Sequence, residues 1–510
     1  MKQKIKRILE FTIFLCILLF IFSRVTYLFR EVSLSRNNIT GFDKEGDLDV
    51  VCVGASTVVE YYQPLTAWNE YGYTSYAYGT LYGQMELFWR YMDRVLETQN
   101  PKLFVVDLRM MTTLTEEGIY EQGLRFWSDS LPILSADRYF SLRDYFKIHS
   151  LNESERQSRL SYYLDIAKYH TNDSALASPD NWMYMNNRGY SKYKGYEISS
   201  THHFYEKPAV DINEKAELSQ IQYHVLYQLL NYCKEKDLNV LFVVCPYIVQ
   251  EEEQRVYNTM KEIVTSYGYH YINANECYDE IGLDFQTDLK NINHVNCVGA
   301  EKYTRFLAGY IIKNYEIQPH ENDESYAQWD KDYDIFAKEL EKEKEKVYET
   351  VQDKLDAVNL SQHLAECEDF YEWTSGARND NYTVLVCADL SKCSYCDIGV
   401  EEKQLLENWG IDISHSNYYL QVSCGGEIIC LEDNPEGIDY SGYLGVIDGL
   451  GQVPYNVQID DSGAKVSIGD KEYIPSVNGI SFILVDNNLK KVFDSVILYV
   501  NDDGSFRIER

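Results

Sequence analysis

Leu48-Asp49-Val50-Val51-Cys52-Val53-Gly54-Ala55-Ser56-Thr57 is the stretch on which the reading of this chain turns. Its apolar β-formers predict a buried strand, and Gly-Ala-Ser-Thr predicts the turn that ends it. Such a turn lifts a hydroxyl to the carboxyl edge of a parallel sheet, where open α/β folds place their ligands. Far downstream, Asp288-Leu-Lys-Asn-Ile-Asn-His294-Val-Asn296-Cys-Val-Gly299-Ala300-Glu-Lys-Tyr-Thr304 sets a histidine before the last helix of the same region. An early nucleophile and a late base, joined by one sheet, are the minimum for acyl transfer.

Outward from Ser56, strands alternate with helices from residue 48 to 315, which predicts βα units and a mostly parallel sheet. Pro64 opens a short helix, and Ser75–Gly79 reads as a strand and loop. Met85, Phe88, Met92, Val95 and Leu96 then fall on one helical stripe, and residues 103–108 form a strand ending in Asp107 and Arg109. Residues 110–200 break the alternation with helical fragments rich in Tyr, Trp and Arg. They read as an insertion over the sheet edge, either shaping a substrate site or capping the packing. His170, His202 and His203 are read as surface or packing residues. A helix over 218–233, a strand Val240–Val244, a helix over 252–267 and a strand over 269–272 follow. A helix from Ala300, with Phe306, Leu307, Tyr310 and Ile311 inward, ends the region.

Trp329, Tyr333, Phe336, Leu340, Val347 and Leu355 recur at helical intervals through the charge-dense residues 316–360, predicting one long connector helix. Residues 361–510 change in kind. Runs at 382–388, 443–447, 465–468, Ile480–Asp486 and 492–499, parted by Gly, Asn and Asp turns, predict a β-rich domain. One helix over 401–409 closes at Gly410.

At 510 residues the chain exceeds one ordinary core. Its net charge of −33 argues against nucleic acid and fits an acidic, soluble surface. Lys2, Lys4, Lys6 and Arg7 precede an apolar run from Phe11 to Phe22, and residues 25–29 extend it past Arg24. No small-x-small cleavage site follows. Residues 1–30 therefore read as an uncleaved single-pass membrane anchor, with Arg24 snorkelling, the basic leader inside and the rest extracytoplasmic. Of twelve cysteines, Cys52, Cys233 and Cys245 sit in apolar patterns as small buried hydrophobes. Cys393-Ser-Tyr-Cys396 has no second pair at zinc-like spacing, which favours a local disulfide or free thiols over a metal.

At Ser56 and His294 the chain resembles the SGNH/GDSL hydrolase superfamily, in particular its membrane-anchored bacterial branch related to polysaccharide O-acetyltransferases. The resemblance covers roughly residues 45–315, within a domain set at 37–315. It implies an α/β fold, a flavodoxin-like three-layer sandwich, with Ser56 as nucleophile, His294 as base and no cofactor. The superfamily's Asp three residues before the base is Asn291 here. Asn291 can orient the ring through its carbonyl but brings no charge, and Asp288 is an alternative at another spacing. The backbone N–H groups of Ser56 and Gly79 are the implied oxyanion donors. The third-block Asn has no counterpart after Val106; Asp107 and Arg109 stand there. Arg109 could hold a substrate carboxylate or sugar hydroxyl, or pair with Asp107.

The tail, with Gly479-Ile-Ser-Phe-Ile-Leu-Val-Asp486 and Val492-Phe-Asp494-Ser-Val496, resembles the interleukin-like EMT inducer domain. Its relatives include the sugar-binding stem domain of a protein O-mannose N-acetylglucosaminyltransferase, so glycan or protein recognition is implied. Three readings follow: an outward-facing serine esterase or O-acyltransferase on cell-surface polysaccharide, a silent scaffold of the same fold, or an adhesin working through its tail. Acyl transfer would require a multi-spanning membrane O-acyltransferase as donor partner.

Overall fold

Five apolar runs form one parallel sheet: β1 Val50–Gly54, β2 Ser75–Gly79, β3 Leu103–Asp107, β4 Val240–Val244 and β5 His270–Asn273. Their order is β2-β1-β3-β4-β5. The computed structural model describes residues 2–30, 33–116, 121–149, 153–172, 182, 189–208, 212–320, 323–378, 382–390, 398–412, 418–447, 451–461, 463–469, 471–473, 480–487 and 491–510. Cys393, Cys396 and Gly479 lie outside them.

β1 to β4 are buried along their whole length, as strands covered on both faces must be. The chain moves from β1 outward to β2, then crosses back to β3. Right-handed crossovers therefore send the connecting helices to opposite faces. The helices that matter for the site are α1 Lys2–Phe29, α2 Leu34–Phe42, α3 Ser56–Val59, α4 Pro64–Tyr71 and α5 Phe88–Leu96. α4 packs on the helix Cys297–Asn314, and α5 on the helix Gln220–Glu235. On Cys297–Asn314 the buried stripe is Tyr303, Thr304, Leu307, Ala308 and Ile311. Phe306 and Tyr310, expected inward, are only half-buried. After β5 a tight hairpin, β6 Leu289–Asn291 and β7 His294–Val295, pairs Asn291 with His294.

α1 is long and apolar enough to cross a bilayer. Its last turn packs against the body of the first unit. Thr26, Tyr27 and Leu28 are buried. Arg30 donates to Asp165 at 2.5 Å and to the carbonyls of Asp129 at 2.7 Å and Leu131 at 2.9 Å. A guanidinium there needs a carboxylate, and the insertion supplies it. α2 then runs antiparallel to β2. Ser35 Oγ takes the Leu81 N–H at 2.9 Å beyond the carboxyl end of β2, and Asn38 donates to Ala77 O at 2.8 Å further back. The chain thus enters the fold from α1 at the carboxyl edge of the sheet.

The insertion holds the helices Glu121–Ser128, Ala136–Ile148, Glu153–Ser158, Leu160–Tyr163 and Ile166–Tyr169. Trp127 stacks on Tyr91 of α5 at 3.8 Å, which fastens the insertion to the sheet layer. The chain then returns along the free edge of β2, where Ala77 N–H donates to Lys194 O at 2.9 Å. Gly195 is obligatory there: its φ is +93°, and a Cβ would stand 2.2 Å from Ala77 O.

The long helix spans Ala327–Glu366, and the chain divides within it into two compact units, Met1–Tyr348 and Glu349–Arg510. In the first unit Trp329, Phe336, Leu340 and Val347 are buried. The second unit is β-rich, as expected. A six-stranded antiparallel sheet is ordered β10-β9-β8-β15-β16-β17, from Glu427–Asn434, Tyr418–Cys424, Tyr382–Asp389, Ile480–Asp486, Lys491–Val500 and Phe506–Glu509. A four-stranded sheet contains β11 Ile438–Ile447, β12 Gly451–Asp460, β13 Gly463–Ile468 and β14 Lys471–Tyr473. Period-2 alternation makes β8 serve two cores. Val384, Val386 and Ala388 meet Trp373 and Leu406, while Leu385 and Cys387 meet Val457 and Val466.

Candidate active site

β1 ends at Gly54, and Ser56 is the first residue of α3, so its N–H has no intrahelical acceptor. β1 and β3 flank the point where strand order reverses, the place where such sheets open a crevice at their carboxyl ends. Gly54 pairs with Gly79 of β2. A Cβ on Gly79 would stand 2.5 Å from Gly54 O, and one on Gly83 3.0 Å from Ala55 Cα, so two glycines let the backbone close around the turn.

The hairpin from β6 to β7 brings His294 to this turn. His294 Nε2 lies 2.9 Å from Ser56 Oγ, across 238 positions of sequence. His294 Nδ1 lies 3.1 Å from Asn291 Oδ1, which also accepts the Asn293 N–H at 2.8 Å. Since a backbone N–H only donates, the atom facing it is the amide oxygen. That oxygen must take its second hydrogen from Nδ1, so the proton sits on Nδ1 and Nε2 is left to accept from the serine. A hydroxyl, an imidazole base and an orienting acceptor stand in one line, with both Ser56 and His294 half-buried. Asn291, rather than Asp288, fills the third position. Asp288 is fully buried, but its Oδ2 takes the Lys302 ammonium at 2.7 Å and the Asp284 N–H at 2.7 Å. It braces the loop that precedes the helix Cys297–Asn314.

Without a carboxylate beside it, the ring is poorly placed to carry charge. Burial first, then the positive charges of Arg109 and Lys290, push His294 down to about 3. The imidazole is therefore neutral, and able to act as a base, far into the acid range.

Asp107 and Arg109 are both held by neighbouring protein groups. The expected pairing exists through the backbone: Asp107 Oδ1 accepts the Arg109 N–H at 3.0 Å, and Oδ2 the Cys245 N–H at 2.9 Å. Burial pushes Asp107 up to about 6. The Arg109 guanidinium is buried, stacks 3.8 Å over Tyr247, and grips Asn293 through both its carbonyl and its side-chain oxygen, the latter at 2.9 Å. It is a positioning residue for the His294 hairpin.

Three ties that the sequence reading missed complete that grip. Tyr61 OH donates to Asn293 O at 2.7 Å, Lys290 pairs with Glu60 at 2.9 Å, and Gln63 N–H donates to Thr304 Oγ1 at 2.9 Å. The segment after Ser56 is thereby bolted to the loop that carries His294 and to the helix that follows it. The only signal in the sequence was polarity at the margins of both motifs. Arg109→Lys keeps the charge but loses the two-pronged hold on Asn293. It is expected to lower kcat by about 10- to 100-fold with little change in KM, because a misplacement of about 1 Å at a reacting pair has that effect. Steady-state kinetics beside a melting curve will separate this from unfolding.

No family model matches the chain, and no curated protein matches it.

Proposed function

We propose that this chain is a membrane-anchored, extracytoplasmic serine esterase or O-acyltransferase of the SGNH type, acting on cell-surface glycan. The observation that carries the reading is the 2.9 Å approach of His294 Nε2 to Ser56 Oγ at the sheet's strand-order reversal. Ser56 Oγ attacks the ester carbonyl while His294 Nε2 takes its proton. The alkoxide leaves with that proton, and the acyl group remains on Ser56 until water or a sugar hydroxyl accepts it. The Ser56 N–H, with Gly79 nearby, is the proposed oxyanion contact. Transfer rather than hydrolysis calls for a multi-spanning acyl-donor partner. The second unit is proposed to recognise glycan, after its resemblance to the interleukin-like EMT inducer domain.

One observation favours a silent scaffold instead: Asn291 gives the imidazolium no countercharge. A fluorophosphonate probe on the full-length protein decides between them without knowledge of the substrate. The adduct is expected on Ser56, lost in Ser56→Ala and reduced in His294→Ala. Absence of any Ser56 adduct on folded protein would refute the esterase reading.

A further inference from the structure

A cleft of about 410 Å³ is lined from α2, from the segment 190–198 and from the long helix Ala327–Glu366. Asn38, Tyr190, Tyr193, Tyr196, Glu197 and Glu339 are among its walls. Tyr190 and Ser191 also line a second cleft of about 490 Å³, beside Asp47 and Gln328. Tyr190 is 68% exposed, so an open aromatic ring stands where the two clefts adjoin.

Asn38 carries the argument. It is 1% exposed, and its Nδ2 donates to Ala77 O at 2.8 Å and Gly195 O at 3.2 Å. Two carbonyl acceptors fix the amide's orientation, so the remaining atom is the oxygen. That Oδ1 is buried and has no donor. A buried acceptor without a donor is costly, and a ligand hydroxyl removes the cost. Among the described residues, the Glu197 and Glu339 carboxylates are neither hydrogen-bonded nor ion-paired. Glu343 is different, being taken by Ser200 Oγ at 2.6 Å and by Lys346 at 2.5 Å. Lys192 is the cation of the wall, with its ammonium 4.7 Å over Tyr193 and within the field of Glu339. Three open acceptors thus stand beside tyrosine rings.

We propose that the paired clefts bind a stretch of uncharged polysaccharide. A sugar brings several hydroxyl donors and an apolar C–H face that a tyrosine ring can cover. The carboxylates, on a chain of net charge −33, turn acidic polymers away. A polymer, rather than a single sugar, suits two clefts joined across one exposed ring. The site shares its class of ligand with the reaction proposed above and does not rest on turnover at Ser56.

The test titrates full-length protein in detergent with hexasaccharides of glucose, mannose, galactose and N-acetylglucosamine, and with hexagalacturonate as the acidic control. At least one neutral hexasaccharide is expected to bind, and hexagalacturonate is not. Glu339→Ala, on the long helix, is expected to weaken binding by about tenfold or more, and Tyr190→Ala by about threefold or more. Binding is expected to be unchanged in Ser56→Ala, and hydrolysis of an aryl acetate unchanged in Glu339→Ala, which keeps this site separable from the esterase reading. Full affinity in both Glu339→Ala and Tyr190→Ala, or no neutral hexasaccharide bound, overturns the site. Pentalysine bound more tightly than any hexasaccharide, and lost in Glu339→Ala, overturns the glycan assignment in favour of a basic peptide.

Discussion

Ser56→Ala is expected to lower kcat on an aryl acetate or an acetylated glycan by about 10²-fold or more, leaving the melting temperature unchanged. In the proposed reaction the serine supplies the bond that divides one difficult acyl transfer into two easier steps, and among the described residues it is the Ser56 hydroxyl that His294 Nε2 holds. The loss cannot exceed what the wild type achieves. In hydrolase triads the oxyanion donors and substrate binding alone retain roughly 10³–10⁴ over water, which sets the floor. Ester hydrolysis by matched preparations measures it, and wild-type turnover equal to that of the variant contradicts the proposed activity.

Asn291→Asp is expected to do the opposite. The new carboxylate can accept the same two hydrogens, from Asn293 N–H and His294 Nδ1–H, and adds a negative charge about 3 Å from the ring. It therefore stabilises the imidazolium that forms as Ser56 attacks. In serine-protease triads the Asp-to-Asn change lowers kcat by about 10⁴, so the gain here should lie between about tenfold and that limit. The pH dependence gives an independent check. The His294 pKa, now pushed down to about 3, must rise when a carboxylate adjoins it. The acid limb of kcat/KM, below pH 5 in the wild type, should move up toward ordinary histidine values. A faster enzyme with an unmoved acid limb would separate rate from charge and refute this account.

The sheet and the serine–histidine pair were legible because each follows from local pattern. Apolar runs such as Val50–Gly54 and Val240–Val244 can only be buried strands, and order along the chain constrained which ends could meet. The start of the last helix was read three residues late, at Ala300 instead of Cys297. Its cap is Asn296, whose side chain takes the N–H groups of Val298 and Gly299. Arg109 was not legible. An arginine at a strand end could hold a ligand or pair with Asp107, and only tertiary structure reveals Asn293 at the end of its reach. The strands Tyr418–Cys424, Glu427–Asn434 and Gly451–Asp460 also escaped notice. Edge and two-sided strands such as Glu427–Asn434 are too polar to stand out from their turns.

The junction at Tyr27 and Arg30 bears on how this molecule could ever be shed. Those residues complete the hydrogen bonds of Ile133, Asp165 and the Asp129 carbonyl, so they are core as much as stalk. A protease clipping just after Arg30 would release a body whose Asp165 has lost a buried countercharge, a loss of several kcal/mol where such pairs are broken. Release with the fold intact demands a cut on the N-terminal side of Tyr27, within α1. The globular part and its root are inherited together.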